Sequence, residues 1–311
     1  MKIIDKIQYW AKKLPNKDSL NDLSWSELWD KIVSRSSTDR IIWSSVNSMD
    51  VIIDILSAEF QKKPIIISKD KFGLEGFFRA SLDADFFSEF SIILRTSGSV
   101  GKPKFIRQPA KMVYSNLLNS IKLQKLTKED RVLTVSSLLH SGGIHVQTLP
   151  GLYVGATVDI RKFIPSVINK APYTVTHLIP RQAELLIKAF KQNKINFKSY
   201  RLIICGSDIV SKKLADFFVG RVDEFIVNYG MTEAGPIILN HSFKSKQEVD
   251  KLYSKINLAH FLGTNCWCDY KITDNELFLS GENVYINNFL KTGDRVRQID
   301  KGFYFMGRIQ H

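Results

Sequence analysis

Residues 91–104 have the sequence SIILRTSGSVGKPK, in which an apolar strand signal is followed at once by a loop of hydroxyl, glycine and lysine residues. Glycines let backbone N–H groups approach anionic oxygens, hydroxyls donate hydrogen bonds and lysines neutralise charge, so this loop suits a polyphosphate. The Walker A spacing is excluded, because Gly98 and Gly101 are too close together and Pro103 follows Lys102. A flexible loop with solvated lysines is the alternative explanation of the same residues.

On both sides of this loop, short apolar runs alternate with helical stretches. The predicted strands are Arg40–Ser45, Pro64–Ser68, Ser91–Arg95, Arg131–Ser136, Ala156–Ile160, Thr174–Ile179, Tyr200–Cys205 and Glu224–Val227. The predicted helices are Met49–Gln61, Met112–Leu126, Pro180–Gln192 and Ser211–Val219. This alternation favours βαβ units and a largely parallel sheet covered on both faces, which is an α/β fold.

The two ends of the chain depart from this alternation. Residues 1–14 are predicted to form an amphipathic helix, and Ser24 with Glu27 forms a capping-box pattern at the start of a second helix. After residue 240 the helical signals fade and turn residues separate short apolar runs. A small β-rich subdomain is therefore predicted there, with strands Glu276–Ser280, Val284–Ile286, Arg295–Ile299 and Phe303–Met306.

Five further segments carry motifs that occur in the same order in one family: Leu23–Leu28, Leu138–Gly143, Asn228–Glu233 (NYGMTE), Thr292–Asp294 (TGD) and Gly307–Arg308. Together with the loop after Arg95, they resemble the motifs of the adenylate-forming (ANL) superfamily, which comprises acyl-CoA synthetases, adenylation domains of peptide synthetases and luciferases. The resemblance covers nearly the whole chain. It implies an AMP-binding large domain over residues 1–311, with two stacked α/β sheet subdomains up to about residue 240 and the β-rich subdomain over about 241–311.

The resemblance also implies roles for residues that would bind the nucleotide. Lys104, Ser97 and Ser99 would hold the β- and γ-phosphates. The ring of Tyr229 would stack on adenine, Asp294 would accept the ribose hydroxyls and Arg308 would support the same edge. The other nucleotide contacts that it implies are Thr96, Gly98, Gly101, Gly206, Ser207, Asn228 and Gly230.

The implied catalytic residues lie in two of the matched segments. Thr232 would donate to the α-phosphate or to the attacking carboxylate, and Glu233 would bind Mg²⁺, a cation that prefers carboxylate and phosphate oxygens. His140 would line the acid pocket and orient the substrate carboxylate. His145 could equally be that pocket residue, and a structural role explains either histidine as well.

The implied reaction converts a small-molecule carboxylic acid and Mg·ATP to an acyl-adenylate and pyrophosphate, as the first half of an acid–thiol ligase reaction with CoA as a candidate acceptor. Val100 departs from the pattern, since it replaces a hydroxyl residue. The hydrogen bond that a hydroxyl would donate to a charged oxygen is worth about 1.5–3 kcal/mol. The sequence ends at His311, soon after Gly307–Arg308, so the family's C-terminal lysine domain is expected to be absent. Thioester formation would then need a C-terminal domain partner or a carrier protein.

Two questions stay open within this resemblance. The compact region before the loop and the segment His177–Gln182 are similar to o-succinylbenzoate-CoA ligases of menaquinone synthesis, although a generic acyl- or aryl-acid ligase fits nearly as well. The second question is turnover: the alternative to an enzyme is a degenerate or partner-dependent subunit that binds nucleotide or acyl-adenylate without efficient catalysis.

Composition limits the remaining classes of function. The net charge of +13 would attract polyanions, but the lysines are spread along the chain without a nucleic-acid-binding motif, so no nucleic-acid partner is expected. We find no apolar run long enough to span a bilayer and no signal peptide, which leaves the cytoplasm as the expected location. Cys205, Cys266 and Cys268 are expected to be ordinary thiols, because their odd count argues against a disulfide framework and a zinc site needs further ligands.

Overall fold

The computed structural model describes residues 1–35, 37–70, 74–81, 86–96, 104–255, 259–286 and 288–309. The chain divides into two compact units, of which the first is Met1–Asp130 with Ser137–Ile160 and the second is Arg131–Ser136 with Arg161–His311. Both units combine helices and β-sheets, so the predicted α/β class is confirmed. Among the described helices, none has the length and apolar character that crossing a bilayer requires.

Within the described residues, the first unit contains seven strands and most of the helices. Its strands are β1 (Asp18–Leu20), β2 (Leu23–Ser24), β3 (Ile42–Ser44), β4 (Pro64–Ile67), β5 (Ser91–Arg95), β6 (Phe105–Pro109) and β8 (Thr157–Ile160). Its helices are α1 (Ile3–Lys13), α2 (Trp25–Ser34), α3 (Met49–Phe60), α4 (Leu74–Ser81), α5 (Ala110–Gln124), α6 (Ser141–Gly143) and α7 (Leu149–Val154), with a π-helical turn at Ile144–Thr148.

The described part of the second unit contains eleven strands: β7 (Arg131–Thr134), β9 (Val175–Leu178), β10 (Leu202–Gly206), β11 (Glu224–Met231), β12 (Gly235–Phe243), β13 (His260–Gly263), β14 (Asn265–Cys266), β15 (Asp269–Thr273), β16 (Glu276–Ser280), β17 (Leu290–Ile299) and β18 (Gly302–Arg308). Its helical elements are a 3₁₀ turn at Pro165–Asn169 and the helices α8 (Pro180–Lys191), α9 (Lys212–Phe218) and α10 (Lys246–Tyr253).

In the first unit, β3, β4 and β5 are parallel and β6 returns antiparallel to β5, with Arg95 opposite Phe105. The predicted polyphosphate loop therefore follows the first of two paired antiparallel strands and precedes the second in the sequence. The predicted N-terminal helix is confirmed as α1, whose Ile3, Ile4, Ile7 and Trp10 are buried at helical spacing. The predicted capping box is confirmed as well: Ser24 Oγ accepts from the Glu27 N–H at 3.3 Å, and Glu27 Oε2 accepts from the Ser24 N–H at 2.8 Å.

In the second unit, β7, β9, β10 and β11 form a parallel sheet that β12 and β14 extend antiparallel. One apolar cluster packs against this sheet and includes Leu186, Phe218 and Phe225. The strands β13, β18, β17, β16 and β15 form a separate antiparallel sheet in that order. This second sheet is the predicted β-rich part of the chain, and Leu277, Leu279 and Val296 lie in its core.

Several details of the predicted secondary structure are wrong. Val284–Ile286 is not a strand, because the Val284 N–H donates to the Gly281 carbonyl and the Tyr285 N–H donates to the Glu233 carbonyl, which holds the segment as a turn. Helical structure also continues beyond residue 240, as α10. The predicted strand at Glu224–Val227 extends to Met231 and is followed by the nine-residue strand β12, which we did not predict.

Candidate functional site

A cavity of about 240 Å³ lies in the second unit, where the carboxyl ends of β10 and β11 meet residues of the antiparallel sheet. The carboxyl edge of parallel strands is the usual position of ligand sites in open α/β sheets. Six predicted nucleotide contacts line the cavity: Ser207, Asn228, Tyr229, Gly230, Asp294 and Arg308. The fold thus gathers residues that are up to about a hundred positions apart in the sequence.

Strand register brings Gly206 and Asn228 together at this edge. The two residues are paired in the parallel ladder of β10 and β11. A Cβ atom at Gly206 would lie 2.3 Å from the Asn228 carbonyl oxygen, so a side chain there would push the strands apart. Ser207 follows with a left-handed φ of 67°, which turns the chain away from the sheet and places this residue in the cavity wall.

Tyr229, Asp294 and Arg308 form a polar cluster in the cavity. The Tyr229 hydroxyl donates to Asp294 Oδ2 at 2.6 Å, and Arg308 Nε lies 2.7 Å from Asp294 Oδ1. Asp294 and Arg308 are opposite each other in the β17–β18 ladder, which fixes their approach. Arg308 Nη1 also donates to the Thr292 carbonyl at 3.2 Å.

Burial determines the electrostatics of this cluster. Asp294 is only 2% exposed, and burial raises the pKa of its carboxyl group, while the Tyr229 hydroxyl and the Arg308 guanidinium act in the opposite direction. Burial and the neighbouring Asp294 carboxylate together raise the pKa of Tyr229 well above its ordinary value. Tyr229 therefore acts as a hydrogen-bond donor throughout the physiological range.

Two buried acceptor atoms in the cavity wall are left without a hydrogen bond. Within the described part of the chain, neither Asp294 Oδ1 nor Asn228 Oδ1 receives a properly oriented donor, although Arg308 lies at ion-pair distance from the former. The Asn228 amide nitrogen donates to the Pro236 carbonyl at 2.7 Å, which fixes the direction of its oxygen. Buried acceptors are rarely left unpaired, so Asn228 Oδ1 points to a ligand that carries a donor group, whereas Asp294 Oδ1 already has the Arg308 guanidinium as its ion-pair partner.

Thr232 and Glu233 lie in the tight turn that joins β11 to β12, and both side chains are half-buried. The turn is held by two bonds from the segment that follows β16. The Tyr285 N–H donates to the Glu233 carbonyl at 2.9 Å, and the Asn283 side-chain amide donates to the Ala234 carbonyl at 3.1 Å. Over the described residues, no group of three or more His, Cys, Asp or Glu side chains could hold a metal ion. Glu233 alone is consistent with Mg²⁺, which usually takes one or two carboxylates together with substrate phosphates.

The predicted phosphate loop is only partly described, since Ser97, Gly98, Ser99 and Gly101 lie outside the described residues, as does Val100. Its two ends are described: the Thr96 N–H donates to the Lys104 carbonyl at 2.8 Å, which closes the base of the loop. The Lys104 side chain is exposed. These residues belong to the first unit.

The two histidines in the first unit differ sharply. His140 is exposed at the start of α6, where a side chain can meet a ligand. His145 is fully buried in the π-helical turn, where its Nε2 lies 2.7 Å from Gln108 Oε1. Burial lowers the pKa of His145 to about 4, so its ring is neutral at physiological pH. Of the two, His140 has the accessibility that contact with a substrate requires.

The cavity also has lining residues that we did not predict: Asp208, Ile209, Val210, Val227, His260, Phe261, Leu262 and Phe305. Most are apolar, and in the sequence they resemble ordinary core positions of strands. They can be distinguished from core residues only because they lie near the ends of strands, beside the motif residues. That signal depends on knowing the strand order, which a single sequence does not provide.

Comparison with known proteins identifies the family of this chain. Residues 68–278 match the family model described as AMP-binding enzyme. Indoleacetate–CoA ligase of Aromatoleum aromaticum is 36% identical over 151 residues, which cover 47% of this chain and 30% of the ligase. Feruloyl-CoA synthase of an Amycolatopsis species is 28% identical over 48% of this chain and 31% of that enzyme. The aligned part thus spans about a third of each relative's length.

Solved structures share the fold. O-succinylbenzoate coenzyme A synthetase from Bacillus subtilis, in complex with AMP, superposes with a TM-score of 0.77 at 17% identity, covering 97% of this chain and 78% of the synthetase chain. The same synthetase in complex with ATP and magnesium ion gives a TM-score of 0.76 at 18% identity, covering 97% and 79% of the two chains.

Proposed function

The chain belongs to the AMP-binding enzyme family, and from that membership we propose that it activates a carboxylic acid with ATP. In the proposed reaction, a carboxylate oxygen of the acid attacks the α-phosphorus of ATP. The bond between the α-phosphorus and the bridging oxygen breaks, and pyrophosphate leaves with the electron pair. The product is an acyl-adenylate, and no covalent bond to the protein forms.

The observation that carries this proposal is the cavity with its polar cluster. The buried Asp294 Oδ1 is an acceptor that suits a ribose hydroxyl, and Asn228 Oδ1 suits the amine group of adenine. The Tyr229 ring supplies a flat surface for the base. The cavity of about 240 Å³ is smaller than sites for drug-sized ligands, which have roughly 300–1,000 Å³, so it suits the nucleoside part of ATP.

The phosphates would be bound by residues outside this cavity. We propose that Lys104, with Thr96 and the hydroxyl residues of the loop, neutralises the β- and γ-phosphates as pyrophosphate leaves. Thr232 would donate to the α-phosphate or the attacking carboxylate. Glu233 would hold Mg²⁺, which would supply positive charge to the phosphate oxygens. Catalysis would then consist mainly of positioning and charge neutralisation.

For the acid and the acceptor thiol, we propose only a chemical class. The relatives are named for indoleacetate and ferulate, which are aromatic acids, and for transfer to CoA. We therefore propose an aryl or acyl acid as the substrate and CoA as the acceptor of the acyl group, with His140 near the carboxylate. O-succinylbenzoate, the acid in the name of the structural neighbour, should be tested as a substrate together with aryl and acyl acids.

Acid-dependent exchange of labelled pyrophosphate into ATP tests the adenylation step. We expect exchange with at least one acid in a panel of aryl and acyl acids, and we expect Lys104→Ala and Glu233→Gln to reduce it at least about a hundredfold. Lys12→Ala and Glu129→Gln, which change exposed residues outside the proposed site, are the matched controls and should retain wild-type exchange.

The competing function is nucleotide binding without turnover, which the replacement of a hydroxyl residue by Val100 favours. The same assay separates the two functions. ATP binding without exchange on any acid would reject the ligase and support a binding subunit. Exchange that survives both Lys104→Ala and Glu233→Gln would instead reject the proposed roles of these two residues.

A further inference from the structure

Two cysteine thiols to which no role has been assigned lie side by side in the second unit. Cys266 ends β14 and Cys268 immediately precedes β15, and their sulfur atoms are 3.8 Å apart. Both side chains are partly exposed, so small reagents can reach them, whereas Cys205 is fully buried within β10. All three cysteines, each within the described residues, are free thiols.

The pair is electrostatically asymmetric. The neighbouring Cys268 thiol lowers the pKa of Cys266 despite partial burial, and the backbone of Cys268 acts in the same direction. The pKa of Cys268 is raised by the same interaction and by burial. Cys266 is therefore the residue that ionises first, and the thiolate is the nucleophilic form of cysteine. Burial raises the pKa of Cys205, which keeps that thiol unreactive.

A short chain of contacts joins this pair to the turn between β11 and β12. Cys268 and Asn283 both lie beside Gly281: the Cys268 Cβ is 3.5 Å and the Asn283 Oδ1 3.1 Å from the position that a Cβ atom on that glycine would take. Asn283 is 2% exposed and donates to the Ala234 carbonyl, at 3.1 Å, in the turn that carries Thr232 and Glu233. On the other side, the Trp267 N–H donates to the Ile238 carbonyl of β12 at 2.9 Å.

We propose that Cys266 and Cys268 form a reversible disulfide in the presence of a hydroperoxide, and that this disulfide loosens the turn that carries Thr232 and Glu233. The sulfur atoms of a disulfide are about 2.05 Å apart, so the two thiols must approach each other by about 1.8 Å. Cys268 then moves relative to Asn283, and the bond from Asn283 to the Ala234 carbonyl weakens. The disulfide would be easily reduced, as partly exposed disulfides generally are.

The chemistry needs only the hydroperoxide as oxidant. The Cys266 thiolate attacks the terminal peroxide oxygen, the O–O bond breaks, and the alkoxide or hydroxide that leaves takes up a proton. The Cys268 sulfur then attacks the sulfur of the resulting sulfenic acid. The S–S bond forms, the S–O bond breaks, and the oxygen leaves as water with the proton from Cys268. Two electrons pass from the two thiols to the peroxide.

Hydrogen peroxide, added to the folded protein, is the probe for the first half of this proposal. Trypsin releases both cysteines in one peptide, residues 256–271. We expect this peptide to become about 2 Da lighter and to recover its mass with dithiothreitol, while Cys205 can be alkylated only after unfolding. Cys268→Ser should stop at a sulfenic acid on Cys266, and Cys266→Ser should react at least about tenfold more slowly. The proposal would be overturned if both thiols stay reduced in an excess of peroxide, or if disulfides form only between chains.

Hydrogen exchange of backbone amides tests the second half, and neither readout depends on the proposed adenylation. Loss of one buried hydrogen bond should speed exchange in residues 231–235 about tenfold after peroxide, and dithiothreitol should reverse the change. Asn283→Ala should give the same acceleration in the reduced protein. Cys205→Ser is the matched control and should respond like the wild type. A disulfide that forms with unchanged exchange in residues 231–235 would overturn the coupling to the turn.

Discussion

At the scale of single residues, Asp294 shows why the candidate site is polar but not freely accessible to solvent. Its carboxylate is almost completely buried, and a buried charge is unfavourable unless partners compensate for the lost hydration. Tyr229 supplies a hydrogen bond and Arg308 a positive charge, and both come from other strands of the same unit. Considered alone in the sequence, an aspartate after Thr292-Gly293 resembles a turn residue. The ladder between β17 and β18 explains its position.

His145 leads to a prediction about pH. Its pKa is about 4 when buried, whereas an unfolded histidine titrates near 6.5, so the unfolded state holds more protons between these values. Stability should therefore fall as the pH is lowered from about 6.5 to 4, by up to about 1.4 kcal/mol per pH unit from this residue. His145→Gln should make the free energy of unfolding depend less steeply on pH, by the contribution of about one bound proton. Urea unfolding at four pH values measures it, and an unchanged slope would show that His145 is not buried as a neutral ring.

At the scale of elements, the sequence predicts those strands and helices whose apolar pattern is strong and local. β5 was predicted with its exact bounds, since its apolar run is bounded by a glycine-rich loop, and α1 was predicted from the spacing of its isoleucines. β12 was missed because nearly every residue in it is buried, so its sequence does not alternate between apolar and polar residues. α10 was missed because it buries only Val249 and Leu252, too few for a clear helical pattern.

The candidate site was predictable only where a residue belongs to a recognisable motif. Ser207, Asn228, Tyr229, Gly230, Asp294 and Arg308 line one cavity, and their role in binding nucleotide stays a prediction. The apolar wall formed by Phe261, Leu262 and Phe305 was not predicted, because these residues resemble core positions of β13 and β18. The bond between Tyr229 and Asp294 was not predicted either, since it depends on how two sheets of the second unit pack.

The hairpin of β11 and β12 gives a prediction about Gly230. A Cβ atom there would lie 2.2 Å from the Pro236 carbonyl oxygen, which belongs to the backbone of the paired strand. We expect Gly230→Ala to separate the strands beside Tyr229, to cost about 1–3 kcal/mol in the free energy of unfolding, and to weaken AMP binding. Urea unfolding and AMP titration measure these two effects.

Gly220→Ala is the matched control for that substitution. Gly220 has a backbone conformation that favours glycine, with φ of 84°, but no described atom lies within 4 Å of its would-be Cβ. We expect a loss of about 1 kcal/mol from backbone strain and unchanged AMP binding. Equal loss of AMP binding in the two variants would show that the close approach of β11 and β12 does not shape the cavity.

At the scale of the whole molecule, the net charge of +13 predicts weak, non-specific attraction to polyanions. Because the lysines are dispersed, we expect DNA and RNA to be retained only at low ionic strength, with affinity falling at least about tenfold between roughly 0.05 and 0.2 M salt. Electrophoretic mobility shifts with unrelated sequences check this expectation. Retention at physiological salt that depends on nucleotide sequence would contradict the absence of a nucleic-acid function.

The central claim is that the cavity of the second unit binds the nucleoside part of ATP through Asp294. Isothermal titration calorimetry with AMP tests it most directly, with Asp294→Asn as the variant and Asp223→Asn, an exposed aspartate, as the control. We predict that the wild type and the control bind AMP equally. Asp294→Asn should bind about 10–100-fold more weakly, because a hydrogen bond to a charged group is worth about 1.5–3 kcal/mol. AMP binding that is absent in the wild type, or unchanged in Asp294→Asn, would contradict the account.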